Sequence, residues 1–156
     1  KDIFLKGSSL AAIPINVRFC KRQLGIPQNV SSFVIPLGAT INMDGTAIMQ
    51  VVATLFIAGC GGYDISAFQL LIIMVLALIA SMGTPAAPGA GAVILFTILS
   101  GVGFTNESAL IAYSLILAIN RPIEMLVTAL NCVGDSVASI AVAKSEGKLD
   151  TEIFND

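Results

Sequence analysis

The chain has 156 residues and a formal net charge of −2; 56% of its residues are hydrophobic and 12% charged, and the mean hydropathy is +0.90. That is half the charge of an ordinary soluble domain, and from Ile65 to Asn106 there are 42 consecutive residues without an Asp, Glu, Lys or Arg. Apolar runs beyond about 18 residues belong in a bilayer, so a soluble enzyme is excluded, and a net negative chain with its cations concentrated in the flanks is no nucleic-acid binder.

Histidine and tryptophan are absent, which removes imidazole metal sites, Ser-His-Asp triads and histidine proton relays. Cys20, Cys60 and Cys132 are odd in number, far apart and without CxxC spacing, so they read as small apolar packing residues. No signal peptide is visible, because Lys1, Lys6 and Arg18 surround a short, broken apolar run. The opening on Lys1 reads as the interior of an element, and the chain as the C-terminal part of a longer one.

Charge divides the chain into three zones. Residues 1–30 hold Lys1, Lys6, Arg18, Lys21 and Arg22, and residues 144–156 hold Lys144, Lys148 and four acids. Between them stand only Asp44, Asp64, Glu107, Arg121, Glu124 and Asp135. The positive-inside rule places both flanks in the cytoplasm, which requires an even number of full crossings.

Residues 7–19 resemble the tip and second arm of a re-entrant hairpin, and 1–30 as a whole read as that arm plus a cytoplasmic loop. Residues 31–62 read as a crossing helix broken at Asn42-Met43-Asp44-Gly45-Thr46. Residues 66–104 hold two apolar segments, each too short to span at 1.5 Å per residue, joined by a tip from Gly83 to Gly91. Two prolines and several glycines keep that tip from being helical, so this segment reads as a second re-entrant hairpin. Residues 107–145 read as the last crossing, interrupted near Asn120-Arg121-Pro122, and 146–156 as a cytoplasmic tail. The sequons at Asn29 and Asn106 are too short a pattern to carry meaning.

A carboxylate inside an apolar span costs at least a few kcal/mol, so Asp44 is either paired with a basic residue elsewhere or coordinates a cation. Asn42, Asp44 and Thr46 cluster with Gly38 and Gly45, residues that let a helix unwind and expose carbonyls to a hard cation. Asn120, Glu124, Thr128, Asn131 and Asp135 follow at spacings of 4, 4, 3 and 4, one polar stripe on an apolar helix. The stripe is either a hydrogen-bonded seam between helices or a wall of a substrate and ion site. Arg121 lies off the stripe, where it either snorkels to an interface or reaches inward. No pair of groups is arranged for covalent chemistry, so no enzyme is expected.

Gly38-Ala39-Thr40-Ile41-Asn42-Met43-Asp44-Gly45-Thr46 resembles the NMDGT signature of the dicarboxylate/amino acid:cation symporters, the glutamate-transporter family. Asn131-Cys132-Val133-Gly134-Asp135 with Ala141 to Lys144 is similar to that family's last helix, and the Gly83 to Gly91 tip to its second hairpin. The resemblance covers nearly the whole chain. It implies an all-α membrane protein, the C-terminal core of a transport domain that moves like an elevator against a scaffold in a homotrimer. The remaining partner elements would lie in the N-terminal half of the transporter, in the cell (inner) membrane with a cytoplasmic C-terminus.

Carried over position by position, the resemblance implies three sodium sites. Asp135 with carbonyls of Gly38, Asn42 and Asn131 would hold one. Carbonyls of Thr40, Ser81, Met82 and Thr84, with Met43 nearby, would hold another. Asn42 and Asp44 would contribute to a third. Ser8, Ser9, Thr46, Ala87, Pro88, Gly89, Glu124, Thr128 and Asn131 would line the amino-acid pocket. Val127 stands where members that carry acidic substrates have an arginine, and Glu124 where an aspartate is usual. Valine cannot grip a side-chain carboxylate, so a neutral amino acid coupled to Na+ is expected. Two alternatives stay open: an acidic amino acid or dicarboxylate with Arg121 as its partner, and an ion channel or non-transporting subunit.

Overall fold

The structure, a computed structural model, describes residues 2–155; Lys1 and Asp156, the outermost charges of the two flanks, lie outside the described residues. It is all helical: α1 (Asp2–Lys6), α2 (Ser9–Gln23), α3 (Gln28–Ile41), α4 (Asp44–Gly61), α5 (Ala67–Met82), α6 (Ala90–Val102), α7 (Glu107–Ala118), α8 (Asn120–Ser145) and α9 (Thr151–Asn155). Two stretches are long and apolar enough to cross a bilayer, the 34 residues Gln28–Gly61 and the 26 of Asn120–Ser145. The chain is an all-α membrane protein.

Each boundary has a local cause. Ser8 caps α2, its Oγ accepting from Ala11 N at 3.3 Å. Ser66 and Gln69 form a reciprocal capping box that starts α5. Gly89 (φ 85°) opens α6, which stops at Gly103 (φ 79°) in a left-handed C-cap. Asn106, one of the two sequon asparagines, is a structural cap: its Oδ1 accepts from Ala109 N at 2.9 Å and its Nδ2 donates to Gly61 O at 2.8 Å.

The interval 107–145 consists of two helices that meet at Ile119, beside the interruption expected at Asn120-Arg121-Pro122. α7 ends at Ala118 and packs on α4, and α8 begins afresh at Asn120. Pro122 falls in the first turn of α8, where its missing N–H costs nothing, so the proline starts a helix here and does not kink one. The tail also differs from a simple flank: Asp150 N donates to Gly25 O at 2.9 Å, which returns the chain to the α2–α3 turn and leads into α9.

Two apolar clusters hold these elements. One joins α4, α5, α6 and α7 through Ile57, Ile73, Leu95, Leu99, Phe104 and Ile116. The other joins α2, α3 and the end of α8 through Cys20, Ile26, Ile35 and Ala143. All three cysteines are free, and Cys20 and Cys132 are buried. Beside them Asn16, 1% exposed, donates from Nδ2 to Cys132 O at 3.2 Å and accepts from Ser136 Oγ at 3.0 Å. Nothing in the local pattern of α2 announces that asparagine, which pins α2 to α8.

Replacing Asn16 by Ala leaves buried polar groups on α8 short of a partner, at a cost of about 1–3 kcal/mol. The expected outcome is a lowered thermal midpoint of the full-length protein in detergent, with the exposed Asn29→Ala as an unaffected control.

Candidate functional site

The break between α3 and α4 is the centre of the site. Asn42 N donates to Gly38 O at 2.7 Å and Ala47 N to Met43 O at 2.9 Å, so one helix ends and the next starts across Asn42 and Met43. The last carbonyls of α3 therefore lack a following turn, and the first N–H groups of α4 lack a preceding one. One of those N–H groups is repaired by α8: Gly45 N donates to Asn131 Oδ1 at 2.8 Å. The carbonyl end of α3 presents partial negative charge, which suits a cation.

Two carboxylates stand at the break. Asp135, 1% exposed, accepts from Asn42 Nδ2 at 3.0 Å. It packs on Gly38 so closely that a Cβ there would overlap its carboxylate. Asp44 lies in the first turn of α4, exposed, and with Asn42 crowds against Gly134, where a Cβ would likewise overlap. The glycines at 38 and 134 are thus seats for side chains on the facing helix. Among the described residues no group of three His, Cys, Asp or Glu is placed to hold a metal ion by side chains alone. The donors here are carboxylates, amide oxygens and backbone carbonyls, the set a hard cation takes.

The second predicted oxygen set is more dispersed. Ser81 and Thr84 are buried at the end of α5, their hydroxyls donating to Leu78 O and Ala80 O at 2.8 Å. Thr40 is exposed, with Oγ1 turned to Leu37 O at 2.7 Å, and Met82 is exposed as well. α3 and α5 touch, so the two halves belong to neighbouring elements.

An open cavity lies beside the break. Ser8 and Ser9 come from the start of α2, Ala87 from the α5–α6 turn, and Met43 and Thr46 from the break. Glu124, Val127, Thr128 and Asn131 come from α8. Asn131 is its floor: Nδ2 lies 3.3 Å from Ser9 Oγ, 3.3 Å from Met43 Sδ and 3.4 Å from Thr46 Oγ1. Pro88 and Gly89 are not among the lining residues; Pro88 is exposed, and Gly89 instead donates its N–H to Glu124 Oε1. Their place at the apex of the tip, beyond its inner edge, accounts for the difference.

Residues that the sequence reading missed also contribute. Gly7, Pro85, Ala86, Met49 and Gly91 line the cavity. At Gly91 a Cβ would come within 3.2 Å of Met49 Cε and 3.4 Å of Thr46 Cγ2, so its bare backbone admits α6 to the wall. Met49 follows Thr46 by less than one turn, the only sequence signal that could have found it. Arg121 does not line the cavity; it reaches Glu124 Oε2 at 3.4 Å.

Residues 4–145 match the model of the sodium:dicarboxylate symporter family. The chain belongs to this family. It is 39% identical to Excitatory amino acid transporter 2 of Homo sapiens over 145 residues, 92% of this chain and 25% of that protein. It is 37% identical to an Excitatory amino acid transporter of Caenorhabditis elegans over 144 residues, 92% and 28% of the two chains. Against Excitatory amino acid transporter 3 of Mus musculus it is 36% identical over 141 residues, 90% and 26%. The chain thus spans about a quarter of the length of these relatives.

Because Asp135 and Gly38 are in direct contact, Gly38→Ala must displace the carboxylate. The expected outcome is a lowered thermal midpoint of the full-length protein in detergent. Gly101→Ala, where the new methyl meets only Leu76 Cδ1 at 3.9 Å, leaves the midpoint in place.

Proposed function

We propose that the full-length protein is a sodium-coupled symporter of small or medium neutral amino acids, working by alternating access with hairpin two as a gate. One observation carries the choice of substrate: among the described residues, the only charged side chain lining the cavity is a carboxylate, Glu124. An amino acid brings an ammonium, which suits Glu124 and Thr128, and a carboxylate, which suits the Ser8 and Ser9 hydroxyls and the Asn131 amide. A second, side-chain carboxylate would have no cation to meet and would cost several kcal/mol. Val127 occupies the wall where a bidentate arginine fork would have served it.

Coupling to sodium has a physical basis in the break. A cation held by Asp135 and the carbonyl end of α3 would hold Asn42 at the break, where Gly45 N bonds Asn131, the floor of the cavity. A cation between α3 and the end of α5 would tie hairpin two to the break. Each ligand then favours the conformation the other needs, and the linkage is reciprocal. The two acids Asp44 and Asp135 fit a cation-binding role better than a proton relay. The elevator movement, the homotrimer, the inner-membrane location and the cytoplasmic C-terminus follow the family resemblance and belong to this proposal.

The test is uptake of labelled serine, alanine and aspartate by the full-length protein in liposomes under an inward sodium gradient. Serine or alanine uptake with aspartate a poor competitor is expected, and Asp135→Ala should weaken sodium dependence about 10–100-fold, the worth of one charge-assisted ligand. Strong aspartate uptake would overturn the neutral reading in favour of Arg121 as an anion partner. Leak of ions without saturable uptake would favour a channel. Val127→Arg, which restores a fork to the wall, is expected to shift preference toward aspartate in the same assay.

A further inference from the structure

The half-exposed Arg121 is folded back along the cavity's edge. Its Nη1 lies 3.4 Å from Glu124 Oε2, and its Nη2 donates to Lys6 O at 3.4 Å. The guanidinium sits where a side chain on Gly7 would stand. A Cβ at Gly7 would come within 2.7 Å of Nη1 and 3.0 Å of Cζ. The space a side chain would occupy at the tip of hairpin one is filled by an arginine from α8.

The other oxygen of Glu124 faces the opposite hairpin, because Oε1 accepts the N–H of Gly89. The tips are also joined directly, Ser8 Oγ donating to Ala86 O at 2.8 Å. One guanidinium–carboxylate pair thus touches both tips, which lie 78 residues apart in sequence at that serine contact.

We propose that Arg121 and Glu124 form a clasp fastening both hairpin tips to the head of α8, with Arg121 a positioning residue for the Glu124 carboxylate and no substrate ligand. The inference rests on hairpin two being a gate. An exposed ion pair of this length adds little by itself. Its effect is on where the carboxylate sits. With Oε2 held by Arg121, Oε1 stays on Gly89; with Oε2 free, other rotamers carry Oε1 away and release the tip.

The test uses the full-length protein in proteoliposomes with Ala86→Cys as the sole reactive cysteine, Cys60 included among those removed, labelled by a membrane-impermeant maleimide at fixed sodium. Ala86 is half-buried, so its labelling reports opening of the tip. Arg121→Gln is expected to raise the labelling rate on the order of three- to fivefold. Gly7→Ala, which evicts the guanidinium and also strains a left-handed turn (φ 57°), should raise it at least as much, and the double variant no further than Gly7→Ala alone. Arg121→Lys, able to reach Glu124 but not both partners, should restore part of the protection. Unchanged labelling in Arg121→Gln overturns the proposal, as does a double variant whose rise is the product of the two singles. Should Arg121→Gln fail to reach the membrane, Arg121→Met, which keeps the length and loses the charge, carries the same test. Uptake assayed on the same vesicles separates the two readings: labelling that rises without any sodium-driven uptake defeats the symporter and leaves the clasp, and uptake with labelling unmoved does the reverse.

Discussion

A helix broken within an apolar span has to find partners for the backbone groups it frees, since hydrocarbon supplies none. In this chain the break at Asn42 and Met43 is covered by α8, and the covering is specific. Asn131 takes the amide of Gly45, and Asn42 gives its side-chain amide to Asp135. Those bonds need the helices to approach at backbone distance, which is why glycine stands at 38 and 134, each against a carboxylate of the facing element. Everything else in the site is arranged around that junction. The α1–α2 and α5–α6 turns meet beside it, Ser8 Oγ donating to Ala86 O, and the cavity is the space between them and α8.

The same junction explains why polar side chains are so deeply buried in so hydrophobic a chain. Thr46, Thr128, Asn131 and Asp135 are each 4% exposed or less, and apart from Asp135 all of them border the cavity. By contrast Ile48, Val52, Leu126 and Val133, on other faces of the same two helices, are more than half exposed. The helices are inverted relative to those of a soluble protein, with polarity inside and aliphatic surface outside, the arrangement a bilayer requires.

Much of this was legible in the residues because the signals are local. Gly38, Asn42 and Gly45 mark a break; Pro85, Pro88 and the glycines around them mark a tip; spacings of 4, 4, 3 and 4 place Asn120 to Asp135 on one face. Ala87 lines the cavity while its neighbour Pro88 is exposed, because spacing along a tip does not say which side faces inward. What stayed hidden depends on contacts between distant parts of the chain. Asn16 and Ser136 meet across 120 residues, Arg121 and Lys6 across 115. Nor does a pattern of apolar residues distinguish one long interrupted helix from the separate α7 and α8, since both bury the same kind of surface.

The hold of Asn42 on Asp135 bears on how selective the site can be. A carboxylate with one oxygen already fixed at 3.0 Å has its rotamer chosen when the protein folds. The ordering entropy of such a side chain, about 0.5–1.5 kcal/mol, is then no part of the binding equilibrium. Under the proposed role, a cation arriving at Asp135 has mainly its own water to lose. Discrimination between ions of one charge becomes a contest of dehydration against the spacing of rigid oxygens, and stiffness, more than charge, decides it.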